Sequence, residues 1–144
     1  MYIVSACLAG IRCRYDGRCN TDECVQSLVK EGKAVPICPE VLGGLPIPRV
    51  PCEIISHGAT RQVINRDGED MTGEFVAGAR KTLQIARVLG VKTVILKSKS
   101  PSCGCGKIYD GTFTGRIIDG DGITCRLLKD NGIEVYTEEN LPHL

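Results

Sequence analysis

The sequence predicts an α/β fold in one domain spanning residues 1–144: a mainly parallel, Rossmann-like sheet with flanking helices and a small β-hairpin insertion. Three observations carry that prediction. Short apolar runs rich in Val and Ile, at Tyr2–Ala6, Ala34–Ile37 and Val91–Leu96, are bounded by Gly, Ser and Pro, the pattern of strands buried on both faces. Segments of helical periodicity lie between them, as crossovers joining parallel strands require. At 144 residues and 42% hydrophobic content, the chain is long enough to bury one substantial core.

Tyr2–Ala6 is the first strand, and it delivers Cys7 to its C-terminal tip. Arg12–Gly17 is a polar loop in which Asp16-Gly17 marks a turn. Thr21 or Asp22 caps a helix whose apolar positions Cys24, Val25, Leu28 and Val29 fall at three- and four-residue spacing, ending near Gly32. Ala34–Ile37 ends in Cys38, and Pro36, with no N–H to give to a ladder, argues for an edge position or a strand only partly laddered. Val41–Pro51 is too rich in Gly and Pro for a regular element; it is read as an ordered surface loop, with Gly43-Gly44-Leu45-Pro46 forming a pocket wall. Glu53–Ile55 and Gln62–Ile64, around a turn near Gly58, make the hairpin.

From about Thr72 to Leu89, Phe75, Val76, Ala79, Leu83, Ala86 and Leu89 make one apolar stripe, with Thr72 as N-cap and Gly90 as the C′ glycine. This helix runs straight into the Val91–Leu96 strand. After a loop dense in Ser, Pro, Cys and Gly come extended pieces at Ile108–Phe113 and Arg116–Ile118, a helix over Gly122–Asp130 and a last strand at Ile133–Tyr136.

Lys plus Arg number 18 against 17 Asp plus Glu, a formal charge of +1 that singles out neither nucleic acid nor an anionic membrane as partner. The N-terminal apolar segment is too short for a signal peptide, and nowhere do about eighteen apolar residues run together, so the expectation is a cytoplasmic protein. Nine cysteines, an odd number without an export signal, point to thiolate chemistry or metal binding rather than a disulfide framework. There is no Cys-x-x-Cys, which argues against a thioredoxin-type pair and the common zinc spacings.

Cys7, Cys38 and Cys103 each follow a predicted parallel strand, and ligands of open α/β sheets bind outside those strand ends. Three converging thiolates suit a soft metal or an iron-sulfur cluster and leave one position open in a four-fold site. Alternation along an extended Cys38-Pro39-Glu40 puts Glu40 on the face of Cys38, and the hydroxyls of Ser100 and Ser102 face the same crevice. A carboxylate beside an open metal position suggests catalysis. The competing reading is three small buried hydrophobes at strand ends.

Five segments, Ser5-Ala6-Cys7-Leu8, Arg14-Tyr15-Asp16-Gly17, Cys38-Pro39-Glu40-Val41-Leu42-Gly43-Gly44-Leu45-Pro46, Ser100-Pro101-Ser102-Cys103-Gly104 and Ile108-Tyr109-Asp110-Gly111, resemble in the same order the motifs of a bacterial family that includes the thiouracil desulfidases. The resemblance covers nearly the whole chain. It implies a desulfidase-like domain with a [4Fe-4S] cluster held by Cys7, Cys38 and Cys103, its unliganded iron taking sulfur from a small thiolated heterocycle such as 2-thiouracil without net redox change. Glu40 and a serine, Ser100 or Ser102, would then act on the substrate.

Two other readings use the same cysteines differently. A non-enzymatic iron-sulfur or metal carrier or sensor needs the three thiols but no carboxylate at the open position, and a zinc module needs four closed thiolates. Cys105 is read as a spare ligand, a sulfur acceptor or an unused thiol, Cys125 as core, and Cys13, Cys19 and Cys24 with Cys52 as a second metal set of no strong spacing. Asp16 and Asp110 precede Gly and are read as backbone caps. Lys97 and Lys99 are read as solvating a loop, with Lys97 offsetting thiolate charge if it points into the crevice, and His57 and His143 are assigned no function.

Overall fold

A computed structural model describes residues 1–143. Four strands, β1 (Tyr2–Ser5), β2 (Ala34–Ile37), β5 (Thr93–Leu96) and β8 (Glu134–Thr137), form one parallel sheet in the order β2-β1-β5-β8. Ile3 pairs with Val35 on one side and Val94 on the other, so the N-terminal strand lies at the centre. β2, the strand with Pro36, is at an edge, where a missing N–H costs no ladder bond.

Both sheet faces are covered, which is why the strands read as continuous apolar runs. Val4 and Ile95 pack with Val25 and Leu28 of α1 (Glu23–Lys30) on one face. Ile3, Val94 and Leu96 pack with Leu83 and Ala86 of α3 (Thr72–Leu89) and Leu128 of α4 (Ile123–Asp130) on the other. Each fully buried Ile or Leu of this set contributes about 1.5–3 kcal/mol. The β1-to-β2 crossover runs over one face and the β2-to-β5 connection over the other. The chain therefore departs from β1 and β5 in opposite directions, and a crevice opens between their C-terminal ends.

Asp22 caps α1, its carboxylate accepting from the Val25 N–H at 3.1 Å. Gly90 ends α3 in the left-handed region at φ 69°. Thr72 is not the N-cap of α3: Met71 holds that position, and the Thr72 hydroxyl accepts from the Val63 N–H at 2.9 Å, tying the helix to the hairpin. Leu89 leaves the predicted stripe for solvent, while Thr82 is fully buried, its hydroxyl donating to the Gly78 carbonyl at 2.8 Å.

The hairpin is β3 (Cys52–His57) paired antiparallel with β4 (Thr60–Asn65), packed through Ile54 and Val63 on Phe75. A second hairpin pairs β6 (Lys107–Tyr109) with β7 (Ile117–Asp119). Asp16 and Asp110 cap turns, accepting from the N–H groups of Arg18 and Thr112 at 3.0 and 2.9 Å.

The Gly/Pro-rich stretch is irregular from Gly43 to Pro51, as expected, but its first two residues, Val41 and Leu42, are helical. Pro39–Leu42 forms a one-turn helix, α2, with Pro39 at the position where a missing N–H costs nothing. It lies backbone-to-backbone on α3: a Cβ on Gly78 would stand 1.9 Å from the Pro39 carbonyl oxygen, and one on Gly43 2.0 Å from that of Glu74. Gly78→Ala is therefore expected to cost about 1–3 kcal/mol, as overpacking does. Thermal unfolding checks this, and an unchanged midpoint would mean that α2 is free to move aside.

Candidate active site

At the C-terminal ends of β1, β2 and β5 lies a cavity of about 520 Å³, within the roughly 300–1,000 Å³ range of small-molecule sites. Cys7, Cys38 and Cys103 all line it, as do Glu40 and Ser100. Each arrives by a different device. Cys7 sits in a 3-10 turn, Ala6–Ala9, that continues β1, and Cys38 is the residue between β2 and α2. Cys103 lies seven residues past β5 and is brought back by its loop, where the Ser100 hydroxyl oxygen accepts from the N–H groups of Ser102 and Cys103 at 3.1 and 3.0 Å.

Ser5, buried at the end of β1, ties these strand ends together. Its hydroxyl oxygen accepts from the Lys97 N–H at 2.9 Å and donates to the Cys103 sulfur at 3.4 Å. The signal in the sequence was a lone hydroxyl inside an apolar run.

Ser102 does not line the cavity. It is 1% exposed, and its hydroxyl pairs with that of Thr124 at 2.8 Å, anchoring the loop to α4. The Gly43–Pro46 stretch is not the wall either; Leu45 is buried in the core, and Arg49, Pro51 and Cys52 line that side. Glu40 reaches the cavity from the first turn of α2, not from an extended segment, so alternation along the chain is not what aims it.

Arg49, unread in the sequence, organises this side. Its side chain is only 5% exposed; Nε meets the Glu40 carboxylate at 3.1 Å, while Nη1 and Nη2 donate to the carbonyls of Pro46 and Cys13 at 3.2 and 3.0 Å. One guanidinium thus holds the acid and two loops. Burial raises the Glu40 pKa above the ordinary carboxylate range, and Arg49 and the Ser100 hydroxyl pull it partly back.

Cys13 joins the cavity as an additional thiol beside Cys7 and Cys38, the Cys38 thiol donating to the Cys13 carbonyl at 3.8 Å. Contact with Cys38 draws its pKa down, but contact with Cys7 and burial push it up to about 11. Burial pushes Cys103 up to about 12, and contact with Cys13 together with burial raises Cys38. Any metal must displace protons from such thiols. Cys19 and Cys24 do not join Cys13 and Cys52 at the cavity: neither lines it, and Cys24 is exposed on α1. The Lys97 ammonium also lines the cavity, but it is engaged by Glu138 at 3.0 Å.

The donor set fits a polynuclear sulfur-ligated cluster. All nine cysteines are free. Among the described residues, only Cys105, Asp121 and Cys125 form a group of three or more whose ligand atoms all lie within 4.8 Å of one another; the Cys7, Cys38 and Cys103 sulfurs are more widely spaced than that. Sulfurs on one cubane stand about 6–7 Å apart, because the cluster lies between them.

Comparison with known proteins gives three matches. Residues 2–140 match the family described as 2-thiouracil desulfurase. The uncharacterized protein YbbK of Bacillus subtilis (strain 168) is 46% identical over 147 residues, covering 98% of this chain and 97% of its own. The solved structure of the [4Fe-4S]-dependent thiouracil desulfidase TudS superposes with a TM-score of 0.89 at 43% identity, covering 98% of this chain and 92% of that one.

Proposed function

The chain belongs to the 2-thiouracil desulfurase family, and on that premise we propose that it is a [4Fe-4S]-dependent desulfidase that removes sulfur from a small thiolated heterocycle such as 2-thiouracil. The observation that carries the proposal is the convergence of Cys7, Cys38 and Cys103 with Glu40 at one cavity. Residues 1–144 act as one desulfidase-like domain. Among the described residues no helix is long and apolar enough to cross a membrane, and nine free thiols suit the reducing cytoplasm in which we place the protein.

The overall change is hydrolytic: the carbon-sulfur double bond is replaced by carbon-oxygen, water is consumed, and sulfide leaves, with no net oxidation. Cys7, Cys38 and Cys103 would hold the cluster, which when bound would supply Lewis acidity and accept sulfide. Glu40 takes the proton of the water that attacks the ring carbon. Its buried setting raises the carboxyl's pKa above the ordinary carboxylate range, the direction that suits a proton-moving group, while Arg49 fixes its orientation. Ser100, beside Glu40 and held by two backbone N–H donors, orients substrate or water. The Glu40–Arg49 pair favours an enzyme over a carrier, which has no use for a carboxylate at the open position.

The experiment is turnover of 2-thiouracil by anaerobic, cluster-loaded protein, followed by ultraviolet absorbance with iron counted per chain. Uracil and sulfide are expected in equal amounts. A fully loaded protein that leaves thiouracil untouched would point to another thiolated substrate or to the carrier.

A further inference from the structure

Two residues beyond Cys103, outside the cavity lining, three ligand atoms meet. The sulfurs of Cys105 and Cys125 and a carboxylate oxygen of Asp121 all lie within 4.8 Å of one another, and none of these residues lines the cavity. We propose that Cys105, Asp121 and Cys125 form a second metal site, for a single soft divalent ion of the zinc class, separate from the cluster.

Spacing distinguishes the two sulfur sites. Zinc bonds sulfur at about 2.3 Å and oxygen at about 2.0–2.2 Å, so its ligand atoms sit about 3.3–4 Å apart, and a set already within 4.8 Å needs only a small contraction. A cubane cannot occupy so tight a set, since its sulfurs stand about 6–7 Å apart.

The backbone holds the three in place before any ion arrives. Two glycine-rich turns are joined by hydrogen bonds from Gly122 N to Gly104 O at 2.7 Å and from Gly120 N to Gly106 O at 3.1 Å. A Cβ on Gly122 would stand 2.4 Å from the Ser102 carbonyl oxygen, and one on Gly104 2.7 Å from that of Ser100, so only glycine permits this approach. The Gly106 N–H donates to Asp121 Oδ1 at 2.7 Å and aims the carboxylate. Cys125, fully buried in the first turn of α4, supplies the floor.

Charge and protons balance. The ion forms two metal-sulfur bonds and one metal-oxygen bond, and the two thiols release two protons to solvent. Two thiolates and a carboxylate against a divalent ion leave a single negative charge. Lys129 is in place to offset it, its ammonium 3.3 and 3.2 Å from the two Asp121 oxygens. Without an ion, the same ammonium satisfies Asp121. An ion would pin the turn after Cys103 to α4.

The test counts zinc and iron per chain in anaerobic protein equilibrated with buffered zinc, for wild type, Cys105→Ser and Asp121→Asn, each checked for folding by circular dichroism. Wild type should hold about one zinc more than Cys105→Ser, and Asp121→Asn should weaken binding by at least about 10-fold. Iron content should stay equal in all three, which separates this site from the cluster. If the chain takes up no cluster, the zinc difference still decides. Equal zinc in wild type and both variants, or none in wild type, would overturn the proposal. Cadmium should give an ultraviolet thiolate-to-metal band in wild type that Cys105→Ser loses.

Discussion

Serine in place of Cys7, Cys38 or Cys103 is expected to strip the protein of its cluster, removing the visible absorbance and leaving little iron per chain. The size of the effect follows from ligand count. With three protein thiolates and one open position, loss of one leaves two holding points, and a serine oxygen is a harder, more basic donor than the thiolate it replaces. Cys24→Ser, on the exposed side of α1, is the matched control and should retain full absorbance. Cys13 sharpens the test because it lines the same cavity as Cys7 and Cys38. If Cys13→Ser were to lose the cluster while Cys103→Ser kept it, the ligand set would be Cys7, Cys13 and Cys38, and the loop after β5 would serve substrate rather than metal. Full iron in all three variants would remove the cluster from this cavity altogether.

What the sequence could show is what local patterns determine. The apolar runs that became β1 and β5, the stripe and C′ glycine of α3, the Asp22 cap and the edge placement of Pro36 each depend on residues a few positions apart. The strand-end rule then placed three distant cysteines in one cavity, because a parallel sheet aligns the C-terminal ends of its strands whatever lies between them. What escaped depends on partners far along the chain. Thr72 has the chemistry of a cap, yet its hydroxyl serves Val63 across the hairpin. Ser100 and Ser102 are equivalent on paper, and only Thr124 decides which one turns into the core. Arg49 looked like one polar residue in a Pro-rich loop, and its importance comes from Glu40 and Cys13, 9 and 36 residues away. Extended geometry at Cys38-Pro39-Glu40 failed for a local reason: a proline after a strand starts a helical turn as readily as it continues an extended chain.

Glu40→Gln is expected to slow desulfuration by roughly 10²- to 10⁴-fold while shape and cluster remain, the usual range for loss of a general acid or base. That corresponds to about 2.7–5.4 kcal/mol of lost transition-state stabilisation. Glutamine keeps the size of the side chain and an amide oxygen that can still accept from Arg49 Nε, so α2 and the loops fixed by the guanidinium should hold. What it loses is the ability to take a proton. The amide also leaves Arg49, 5% exposed, without its counter-charge, which costs some stability, and the comparison therefore needs folded fractions and iron content matched between variant and wild type. Glu40→Asp supplies the second arm: it restores a carboxylate one methylene farther from the ring, and should recover part of the rate if charge and proton transfer matter. Undiminished turnover in iron-matched Glu40→Gln would exclude the proton-transfer role. Equal loss in Glu40→Gln and Glu40→Asp would mean that the proton is taken only by a carboxylate at its native distance, because glutamine keeps the contact with Arg49.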